Sequence, residues 1–480
     1  MFTLNDILQG NPGQVQCNRD AETDGEHLFP TAQHDSRKVG AGDLFVAIKG
    51  ATVDGHRFIA DALRAGAGGI LCTTATEHLP EEIVQIRVPD VVKALQGTAR
   101  VRAARQRDNT TYIGITGSNG KTSTKDAVAS VLSHQAPTLK TYSSYNNELG
   151  YPLTLLRLEP EHRYAVLEMG AQWVGELAGL CRDIASPDWS IITNVGTAHL
   201  EYFGSQENIA IAKSELVQAL QPQGIAILNY DDVNVRAMAA KTRARILYYG
   251  QSAEADVRAS EISGSPLVGY RFNLGYQGQQ RSIQLKLPGE HGVIIALAAA
   301  AAGFAAEMSI DAVADALMQI TASPGRGQIK QGPNGSTLID DTYNANRQSI
   351  ITITRAMHAT TLAANGKRWA VLGDIFELGG YARAEHHNVG IALAENIERL
   401  IAVGNEARFY VEGAIAAGMA EEHTYFFSAN VDDQQELAAV KRAVADLLKH
   451  EVGENDLVLV KGSRGMYMET LLPLLQDNIT

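Results

Sequence analysis

The chain contains few cysteines and few prolines for its length. Only three of its 480 residues are cysteine and 14 are proline. Cys17, Cys72 and Cys181 are scattered, show no metal-binding spacing and cannot all pair, as expected in a reducing compartment. The sequence therefore predicts cysteines in the core and argues against a disulfide framework or a zinc site.

Signals for export and for membrane insertion are also missing. Residues 1–14 include Asp6 and show no basic start followed by an apolar run, so they do not indicate a secretory signal. The most apolar stretch, residues 293–306, is alanine-rich and shorter than the ~20 residues needed to cross a bilayer. We therefore expect a buried helix there, and a cytoplasmic protein that does not insert into a membrane.

Basic residues are in deficit. The chain has 41 lysines and arginines against 54 aspartates and glutamates, which gives a formal net charge of −13. A general binder of nucleic acid or of a membrane surface needs a basic face, so this balance argues against both classes. Anionic ligands must then be held by local motifs.

Strand-like and helix-like patterns alternate along the chain and predict an α/β protein with three domains. The length alone suggests about three domains of roughly 150 residues. The polar break Asp108-Asn-Thr110 and the turn-rich stretch Ser323-Pro-Gly-Arg-Gly327 separate segments in which the alternation restarts. We place the domains at residues 1–107, 108–322 and 323–480.

This alternation predicts parallel sheets covered by helices. Residues 256–287 depart from it, because polar and apolar residues alternate there, and they predict antiparallel strands at a sheet edge. The clearest strand predictions are residues 43–48, 69–72, 112–116, 164–168, 189–194, 224–229, 337–341, 368–373, 399–404 and 456–461.

A glycine-rich loop predicts a nucleotide site. The string Ile113-Gly-Ile-Thr-Gly-Ser-Asn-Gly-Lys-Thr122 is an apolar strand that runs into a glycine-rich turn, and a helix-like stretch follows. Glycines let backbone N–H groups converge on a phosphate, while Lys121 can reach the outer phosphates and the Thr122 hydroxyl suits Mg²⁺. The loop is a shortened variant, since the usual spacing would place a glycine where Ile115 stands. The alternative is a chance glycine turn beside a solvated lysine.

The shortened loop is similar to the one that marks the Mur ligases and the related folylpolyglutamate and cyanophycin synthetases. Two more strings, Ala198-His-Leu-Glu-Tyr-Phe-Gly-Ser205 and Asp340-Asp-Thr-Tyr-Asn-Ala-Asn346, resemble the Mur ligases that add D-alanyl-D-alanine. Further matching strings are Asp35-Ser-Arg37, Asn146-Asn147, Glu168-Met-Gly170, Ala212-Lys-Ser-Glu215, Pro324-Gly-Arg326, Leu372-Gly-Asp374 and Val460-Lys-Gly-Ser-Arg464. The resemblance spans all three domains.

The resemblance implies an ATP-dependent, ADP-forming amide ligase of peptidoglycan synthesis. Its substrates would be a UDP-N-acetylmuramoyl-tripeptide and D-alanyl-D-alanine, joined through an acyl-phosphate with ATP and Mg²⁺, and the enzyme would be a monomer. The implied fold is a small N-terminal α/β UDP-sugar domain, a central parallel-sheet domain with the phosphate loop, and a C-terminal Rossmann-like α/β ligase domain.

The resemblance also implies roles for individual residues. Lys213 would be carbamylated by CO₂, which replaces a cation with an anion able to support a metal. Thr122 and Glu168 would hold one Mg²⁺ and His199 another. The implied catalytic residues are Lys121, Glu168, His199 and Lys213. The implied ATP contacts are Gly117, Ser118, Asn119, Gly120, Lys121, Thr122, Ser123, Arg326 and Asp341. The implied contacts of the UDP-linked substrate are Ser36, Arg37, Asn146 and Asn147.

Each of these assignments has a simpler structural alternative. His199 could cap a helix or lie in a polar core, and Glu168 could pair with a cation on an edge strand. Lys213 on its own reads as a solvated helix lysine, and Arg326 as a surface arginine in a turn. Tyr343, Asn344 and Asn346 are weaker candidates for the site, because an asparagine that follows a tyrosine in a loop is often only a turn former.

The chain departs from the family pattern at four positions. Asparagine usually stands at the places of Gly292, Ile295 and Ser144, and proline at the place of Arg347. The departures at Gly292, Ile295 and Arg347 motivate a second hypothesis, a nucleotide-binding scaffold that has lost turnover. A third, a folate polyglutamylating ligase, leaves Asp35-Ser-Arg37 without a role.

Overall fold

The computed structural model describes residues 1–50, 53–196, 200–265, 267–289 and 291–476. This part of the chain divides into two compact units. The first comprises Met1–Ser260, Leu274–Arg281 and Ile294–Leu317, and the second comprises Glu261–Asn273, Ser282–Val293 and the residues from Met318 onward. The fold is α/β, as predicted, and no helix in the described ranges is long and apolar enough to cross a membrane.

Short strands and four helices form the first part of the first unit. The strands are β1 (Phe2–Thr3), β2 (Gln16–Cys17), β3 (Leu28–Phe29), β4 (Ala32–Gln33), β5 (Leu44–Val46), β6 (Gly69–Cys72) and β7 (Val84–Arg87). The helices are α1 (Leu4–Gly10), α2 (Ala21–Asp24), α3 (Ile59–Arg64) and α4 (Val91–Gln106). Five strands form a sheet in the order β2-β7-β6-β5-β4, parallel except for β2, and β1 pairs with β3.

Helix α4 packs against α1 at two glycines. It begins where Asp90 Oδ1 accepts from the backbone N–H groups of Val92 and Lys93, at 2.9 and 3.1 Å. Gly97 faces Gly10 so closely that a Cβ on Gly97 would lie 2.3 Å from the Gly10 carbonyl oxygen. The backbones of the two helices are therefore in direct contact at this point, with no room for a side chain between them.

A nine-stranded sheet carries the glycine-rich loop. Its strands are β8 (Thr111–Thr116), β9 (Thr138–Lys140), β10 (Tyr164–Glu168), β11 (Trp189–Ile192), β12 (Ile225–Asn229), β13 (Arg245–Gly250), β14 (Val257–Ser265), β15 (Gly269–Tyr276) and β16 (Gln279–Leu285). The accompanying helices are α5 (Lys121–Ser133), α6 (Gly150–Leu155), α7 (Glu176–Asp183), α8 (Leu200–Phe203), α9 (Gln206–Gln218), α10 (Val233–Ala237), α11 (His291–Ala305) and α12 (Ile310–Met318).

The strand order β16-β15-β14-β13-β12-β11-β8-β10-β9 places β8 between β10 and β11. The pairs from β9 through β13 are all parallel, as predicted from their uninterrupted apolar runs. The chain lies on one side of β8 through β9 and β10, then crosses to the other side at β11. Ligands of such sheets bind outside the carboxyl ends of the strands at the point of reversal, which here follows β8.

The edge formed by β14, β15 and β16 agrees only in part with the prediction of antiparallel strands. Gln277 and Gly278 form a two-residue turn between β15 and β16, with φ of +47° and +78°. Positive φ at both positions is the geometry of a type I′ hairpin, so β15 and β16 are antiparallel. β14, however, pairs with β13 in parallel, with Val257 opposite Tyr249.

Burial confirms the predicted apolar helix and two of the three predicted core cysteines. Residues 296–302 of α11 are at most 1% exposed. Cys72 and Cys181 are buried, and burial raises the pKa of Cys72 to about 11 and that of Cys181 to about 12. Cys17 is only half-buried, because β2 pairs on one side only, with β7.

The second unit contains a six-stranded sheet. Its strands are β17 (Gln328–Gln331), β18 (Thr337–Asp341), β19 (Arg368–Gly373), β20 (Arg399–Val403), β21 (Thr424–Phe427) and β22 (Leu457–Lys461). Its helices are α13 (Arg347–His358), α14 (Ala382–Leu393), α15 (Arg408–Ala416), α16 (Gln434–Glu451) and α17 (Leu472–Leu475). The order is β17-β18-β22-β19-β20-β21, and every pair is parallel except β17 with β18.

Candidate functional site

The phosphate loop, residues 117–120, connects β8 to α5 at the point where the sheet reverses. Gly117 has a φ of +148° and Gly120 a φ of +78°, both in the range that favours glycine. A Cβ on Gly117 would also lie 2.0 Å from the Thr193 hydroxyl oxygen, so a side chain does not fit there. The N-terminus of the 13-residue helix α5 follows directly and adds its positive dipole end. The predicted strand, loop and helix are thus confirmed.

Residues 193–196, which follow β11, fix the conformation of the loop. Ser118 N–H donates to the Asn194 carbonyl at 3.0 Å, and Gly196 N–H donates to Ser118 Oγ at 2.9 Å. Asn119 N–H donates to Asn194 Oδ1 at 2.9 Å, while Thr193 Oγ1 donates to the Asn119 carbonyl at 2.7 Å. The conformation of the loop after β8 is therefore fixed by the segment that follows the neighbouring strand β11. No sequence motif indicated this role for Thr193 or Asn194, which lie about 75 residues away from the loop.

Lys121, Thr122 and Ser123 form the first turn of α5, and all three are half-buried. The Lys121 ammonium donates to the Gly117 carbonyl at 2.8 Å and to the Ser118 carbonyl at 3.1 Å. Its positive charge therefore lies against the loop itself. This arrangement suits an anion held by the loop, because the charge and the backbone N–H groups act on the same place.

Glu168 ends β10 opposite Ile115 of β8, two residues before the phosphate loop begins at Gly117. Its side chain is buried, and Oε1 accepts from Asn146 Nδ2 at 2.8 Å. Oε2 is also buried and has no hydrogen-bond partner among the described residues. β10 is not an edge strand, since β9 lies outside it. A buried carboxylate oxygen without a donor is costly unless it binds a cation.

The two asparagines predicted to contact the UDP-linked substrate already have partners in the protein. Asn146 donates to Glu168, and its own carbonyl accepts from Gly170 N–H at 2.8 Å. Asn147 Oδ1 accepts from Gly150 N–H at 3.0 Å at the start of α6. Asn146 thus orients the carboxylate, and a substrate contact for either residue stays a prediction.

Lys213 lies on α9 and is only 2% exposed, so the interpretation as a solvated lysine is wrong. Its ammonium nitrogen lies 3.3 Å from the Ala171 carbonyl oxygen and 5.6 Å from the centre of the Phe203 ring. Burial, and next the positive charge of Lys121, lower the pKa of Lys213 to about 7. About half of this amine is therefore neutral at pH 7. His199, the other catalytic candidate of this region, lies outside the described residues.

Ser36 and Arg37 lie on a short 3₁₀ turn, Ser36–Lys38, in the N-terminal part of the first unit. The Arg37 side chain is 86% exposed and donates twice to Asp35, at 2.8 Å each. The neighbouring Lys38 ammonium lies 3.3 Å from the Tyr145 hydroxyl and 5.6 Å from the centre of that ring. This contact joins the turn that bears Ser36 and Arg37 to the segment that precedes Asn146.

Arg326 belongs to the second unit and is half-buried, which argues against a freely solvated turn arginine. Its loop is held to the loop after β18, because Tyr343 N–H donates to the Gly325 carbonyl at 3.1 Å. The Arg326 guanidinium lies 4.0 Å from the centre of the Tyr343 ring, and that of Arg464 lies 5.4 Å from it. Tyr343 thus orients a guanidinium group, a role its sequence pattern did not indicate.

Asp341 also lies in the second unit, at the end of β18. Its Oδ2 accepts from the Lys461 ammonium at 2.5 Å, and the same ammonium donates to the Asn344 carbonyl at 2.8 Å. Asn346 Oδ1 accepts from Ser349 N–H at 2.8 Å and caps α13, so a structural role accounts for this weaker candidate. Lys461 was not among the predicted site residues, because its pairing depends on the register of β18 with β22.

Within the described ranges, no group of three or more histidine, cysteine, aspartate and glutamate side chains is arranged to hold a metal. The predicted metal ligands do not form such a group, since Thr122 offers a hydroxyl and His199 is not described. Glu168 is the ligand candidate with a buried oxygen that no described residue satisfies. An oxygen ligand of this kind suits Mg²⁺.

Comparison with known protein families gives three matches in succession along the chain. Residues 32–103 match the Mur ligase family, catalytic domain. Residues 115–303 match the Mur ligase middle domain. Residues 325–464 match the Mur ligase, glutamate ligase domain.

Curated proteins and solved structures show the same similarity. The chain is 37% identical to a UDP-N-acetylmuramoyl-tripeptide--D-alanyl-D-alanine ligase of Mycobacterium tuberculosis, over 90% of this chain and 89% of that protein. It is 34% identical to the protein of that name from Escherichia coli K12, over 99% of this chain and 98% of the relative. A crystal structure of MurF from Acinetobacter baumannii superposes with a TM-score of 0.83, 32% identity and 98% coverage of both chains. The MurF ligase of Thermotoga maritima in complex with ADP has a TM-score of 0.74, 27% identity and coverage of 94% and 97%.

Proposed function

Because the chain belongs to the Mur ligase family, we propose that it is an ATP-dependent, ADP-forming ligase that joins D-alanyl-D-alanine to a UDP-N-acetylmuramoyl-tripeptide. The product is a precursor of peptidoglycan. One observation carries the proposal: the phosphate loop and Glu168 lie at the ends of two neighbouring strands, with a buried oxygen of Glu168 uncommitted. A nucleotide and a cation can therefore be held side by side.

The reaction must convert a poor carboxylate electrophile into a reactive one. The tripeptide carboxylate attacks the γ-phosphorus of ATP, the bond to the bridging oxygen breaks, and ADP leaves. The amine of D-alanyl-D-alanine then attacks the acyl carbon, phosphate leaves, and the nitrogen loses a proton. Lys121 offsets the charge on the transferred phosphoryl group, and the backbone N–H groups of the phosphate loop orient the nucleotide.

Mg²⁺ would reduce the repulsion between the substrate carboxylate and the phosphates of ATP. Thr122 and Glu168 would hold one ion, since hydroxyl and carboxylate oxygens are ligands that Mg²⁺ accepts. The buried Oε2 of Glu168 supports this assignment. We assign His199 to a second ion on the resemblance alone.

Lys213 is proposed to be carbamylated. The neutral amine adds to the carbon of CO₂, a proton leaves the nitrogen, and an anionic carbamate results. The pKa of about 7 supports this proposal, because a protonated amine has no lone pair for the attack. The carbamate would supply a negative charge beside the ammonium group of Lys121, which already lowers the pKa of Lys213.

Three domains divide the ligands in this proposal. Residues 1–107 bind the UDP-sugar through Ser36 and Arg37, residues 108–322 bind ATP, and residues 323–480 contribute Arg326 and Asp341 to the nucleotide. The segments matched by the family, 32–103, 115–303 and 325–464, fall inside these limits and support them. We place the reaction in the cytoplasm, where ATP is available.

Phosphate release from ATP tests the proposal. The UDP-tripeptide alone, D-alanyl-D-alanine alone, both together, and neither are compared, and release is expected to require both. A panel with diaminopimelate or lysine as the third peptide residue defines the substrate further. ATP binding without release under any of these conditions would instead support the scaffold hypothesis that Gly292, Ile295 and Arg347 suggested.

A further inference from the structure

The segment of residues 141–147 determines the surroundings of Glu168, although it belongs to neither a helix nor a strand. The Glu168 backbone N–H donates to Thr141 Oγ1 at 3.0 Å. At the other end of the segment, Asn146 Nδ2 donates to Glu168 Oε1 at 2.8 Å. The conformation of this segment therefore decides which carboxylate oxygen is bonded within the protein and which is not.

Lys125, on α5, holds the 141–147 segment through two hydrogen bonds. Its side chain is 1% exposed, and its ammonium donates to the Thr141 carbonyl at 2.8 Å and to the Ser143 carbonyl at 2.7 Å. Ser143 has a φ of +52°, a left-handed conformation that is unfavourable for a residue with a side chain. A buried lysine thus fixes a strained turn at two successive points.

The same helix begins directly after the phosphate loop. Lys121 and Lys125 are four positions apart on α5, so they lie on neighbouring turns of one face. Lys121 contacts the carbonyls of the phosphate loop, and Lys125 contacts the carbonyls of the 141–147 segment. One helix therefore places both the nucleotide-binding loop and the turn that orients the carboxylate.

We propose that Lys125 is a positioning residue for the Mg²⁺ site at Glu168. By holding the 141–147 segment, it keeps Asn146 on Oε1 and leaves Oε2 for the cation. Lys125 acts through these residues and not by contact with substrate. The inference rests on the proposed function, because that function supplies the Mg²⁺-nucleotide that the site would hold.

The test uses the full-length Lys125→Met variant, which removes the charge and the donors at similar side-chain length. In the ligand-free protein, hydrogen exchange is expected to accelerate at the Glu168 and Gly170 amides, which donate to Thr141 and Asn146. In the phosphate-release assay, the Mg²⁺ concentration for half-maximal rate should rise about 10- to 100-fold, the usual effect of losing a group that orients a metal ligand. A purely structural defect would lower the active fraction without this rise.

Lys140→Met is the matched control. Lys140 is also near this segment and pairs with Asp126 at 2.7 Å, but its side chain is 51% exposed and it contacts no carbonyl of the turn. Neither the exchange of the two amides nor the Mg²⁺ requirement should change. A shift in this variant equal to that of Lys125→Met would overturn the inference, because any lysine nearby would then suffice.

A double-mutant cycle with Asn146→Ala sharpens the result. Both residues act through the same hydrogen bond to Glu168, so the double variant should need little more Mg²⁺ than the worse single variant. Fully additive shifts would contradict a shared route. If Lys125→Met does not fold, Lys125→Gln replaces it, since its amide is polar but one bond too short to reach both carbonyls.

Two outcomes separate this inference from the proposed function. A folded Lys125 variant with wild-type exchange and wild-type Mg²⁺ requirement overturns the role of Lys125 alone. A wild-type protein that releases no phosphate with both substrates contradicts the proposed function, and amide exchange then still decides whether Lys125 holds the segment.

Discussion

Lys213 should react with CO₂ at a pH at which an ordinary lysine does not. With a pKa of about 7, about half of Lys213 is neutral at pH 7, against roughly 0.03% of a lysine at the usual 10.5. Burial therefore raises the reactive fraction by about three orders of magnitude. Because the neutral form is the one that gains as the pH rises, it makes up about one-tenth of Lys213 at pH 6 and about nine-tenths at pH 8.

Carbon-13 NMR can follow this reaction directly. The protein is equilibrated with labelled CO₂ at a fixed dissolved concentration, and the carbamate carbon is recorded from pH 6 to pH 8.5. At this fixed CO₂ concentration the signal of wild type should grow as the pH rises through about 7, because the neutral amine becomes available. It should keep growing above pH 7 until Lys213 is fully converted, because each carbamate formed releases a proton. Lys213→Ala should lack this signal and should be inactive, with partial recovery of phosphate release when short carboxylates are added, because they can take the place of the carbamate.

Lys441 provides a matched control for burial. Burial also lowers the pKa of Lys441, to about 8, but two carbonyl oxygens and one hydroxyl oxygen accept from its ammonium at 2.7–2.9 Å. Lys441→Met should therefore keep the labelled signal. An equal signal in wild type and Lys213→Ala would refute the reasoning, as would full activity of Lys213→Ala without added carboxylate.

Three further outcomes follow from the site. Lys121→Ala should lower phosphate release by about 10²–10³-fold, because the charge on the phosphoryl group is no longer offset; near-normal turnover would remove the loop from the mechanism. Gly117→Ala should lower the free energy of unfolding by about 2–3 kcal/mol in denaturant titrations, because the new Cβ meets the Thr193 hydroxyl. Adding Thr193→Ala should restore part of the lost stability by removing that hydroxyl, and an unchanged stability of Gly117→Ala would contradict the packing described. Arg326→Ala should lower turnover, while the affinity for the UDP-tripeptide measured by calorimetry stays near that of wild type. A large loss of UDP-tripeptide affinity with turnover preserved would show that the assignment of Arg326 to the nucleotide is wrong.

The strands of both large sheets were predictable because their apolar runs are uninterrupted. The predicted residues 164–168, 337–341 and 368–373 coincide with strands of the structure. Such runs identify a strand buried on both faces, and the glycines and polar residues beside them mark where it ends. The parallel pairing of β14 with β13 was not predictable. Alternating polarity indicates which face of a strand is exposed to solvent, but it does not indicate the direction of the neighbouring strand.

The phosphate loop was recognisable because all of its residues are adjacent in sequence. The residues that hold the site in shape are not: Asn194 reaches Asn119 across 75 positions, and Lys461 reaches Asp341 across 120. The lysine positions gave no signal on their own either: Lys213 was interpreted as a solvated helix lysine, Lys125 belonged to no recognised motif, and both are buried in the fold. Local motifs thus identify where ligands bind, and only the fold identifies what orients the ligand-binding groups.

The contact of Gly10 with Gly97 limits how this protein can be modified. Replacing a glycine inside a helix by alanine normally stabilises a protein by about 0.4–1 kcal/mol, which makes Gly97 in the middle of α4 an obvious choice for thermostability engineering. Here the added methyl group would meet the Gly10 carbonyl at 2.3 Å. The partner position is already glycine and can become no smaller, so no compensating substitution exists across this contact. Libraries that vary the N-terminal region should therefore keep both positions constant and seek added stability on the exposed faces of the two helices.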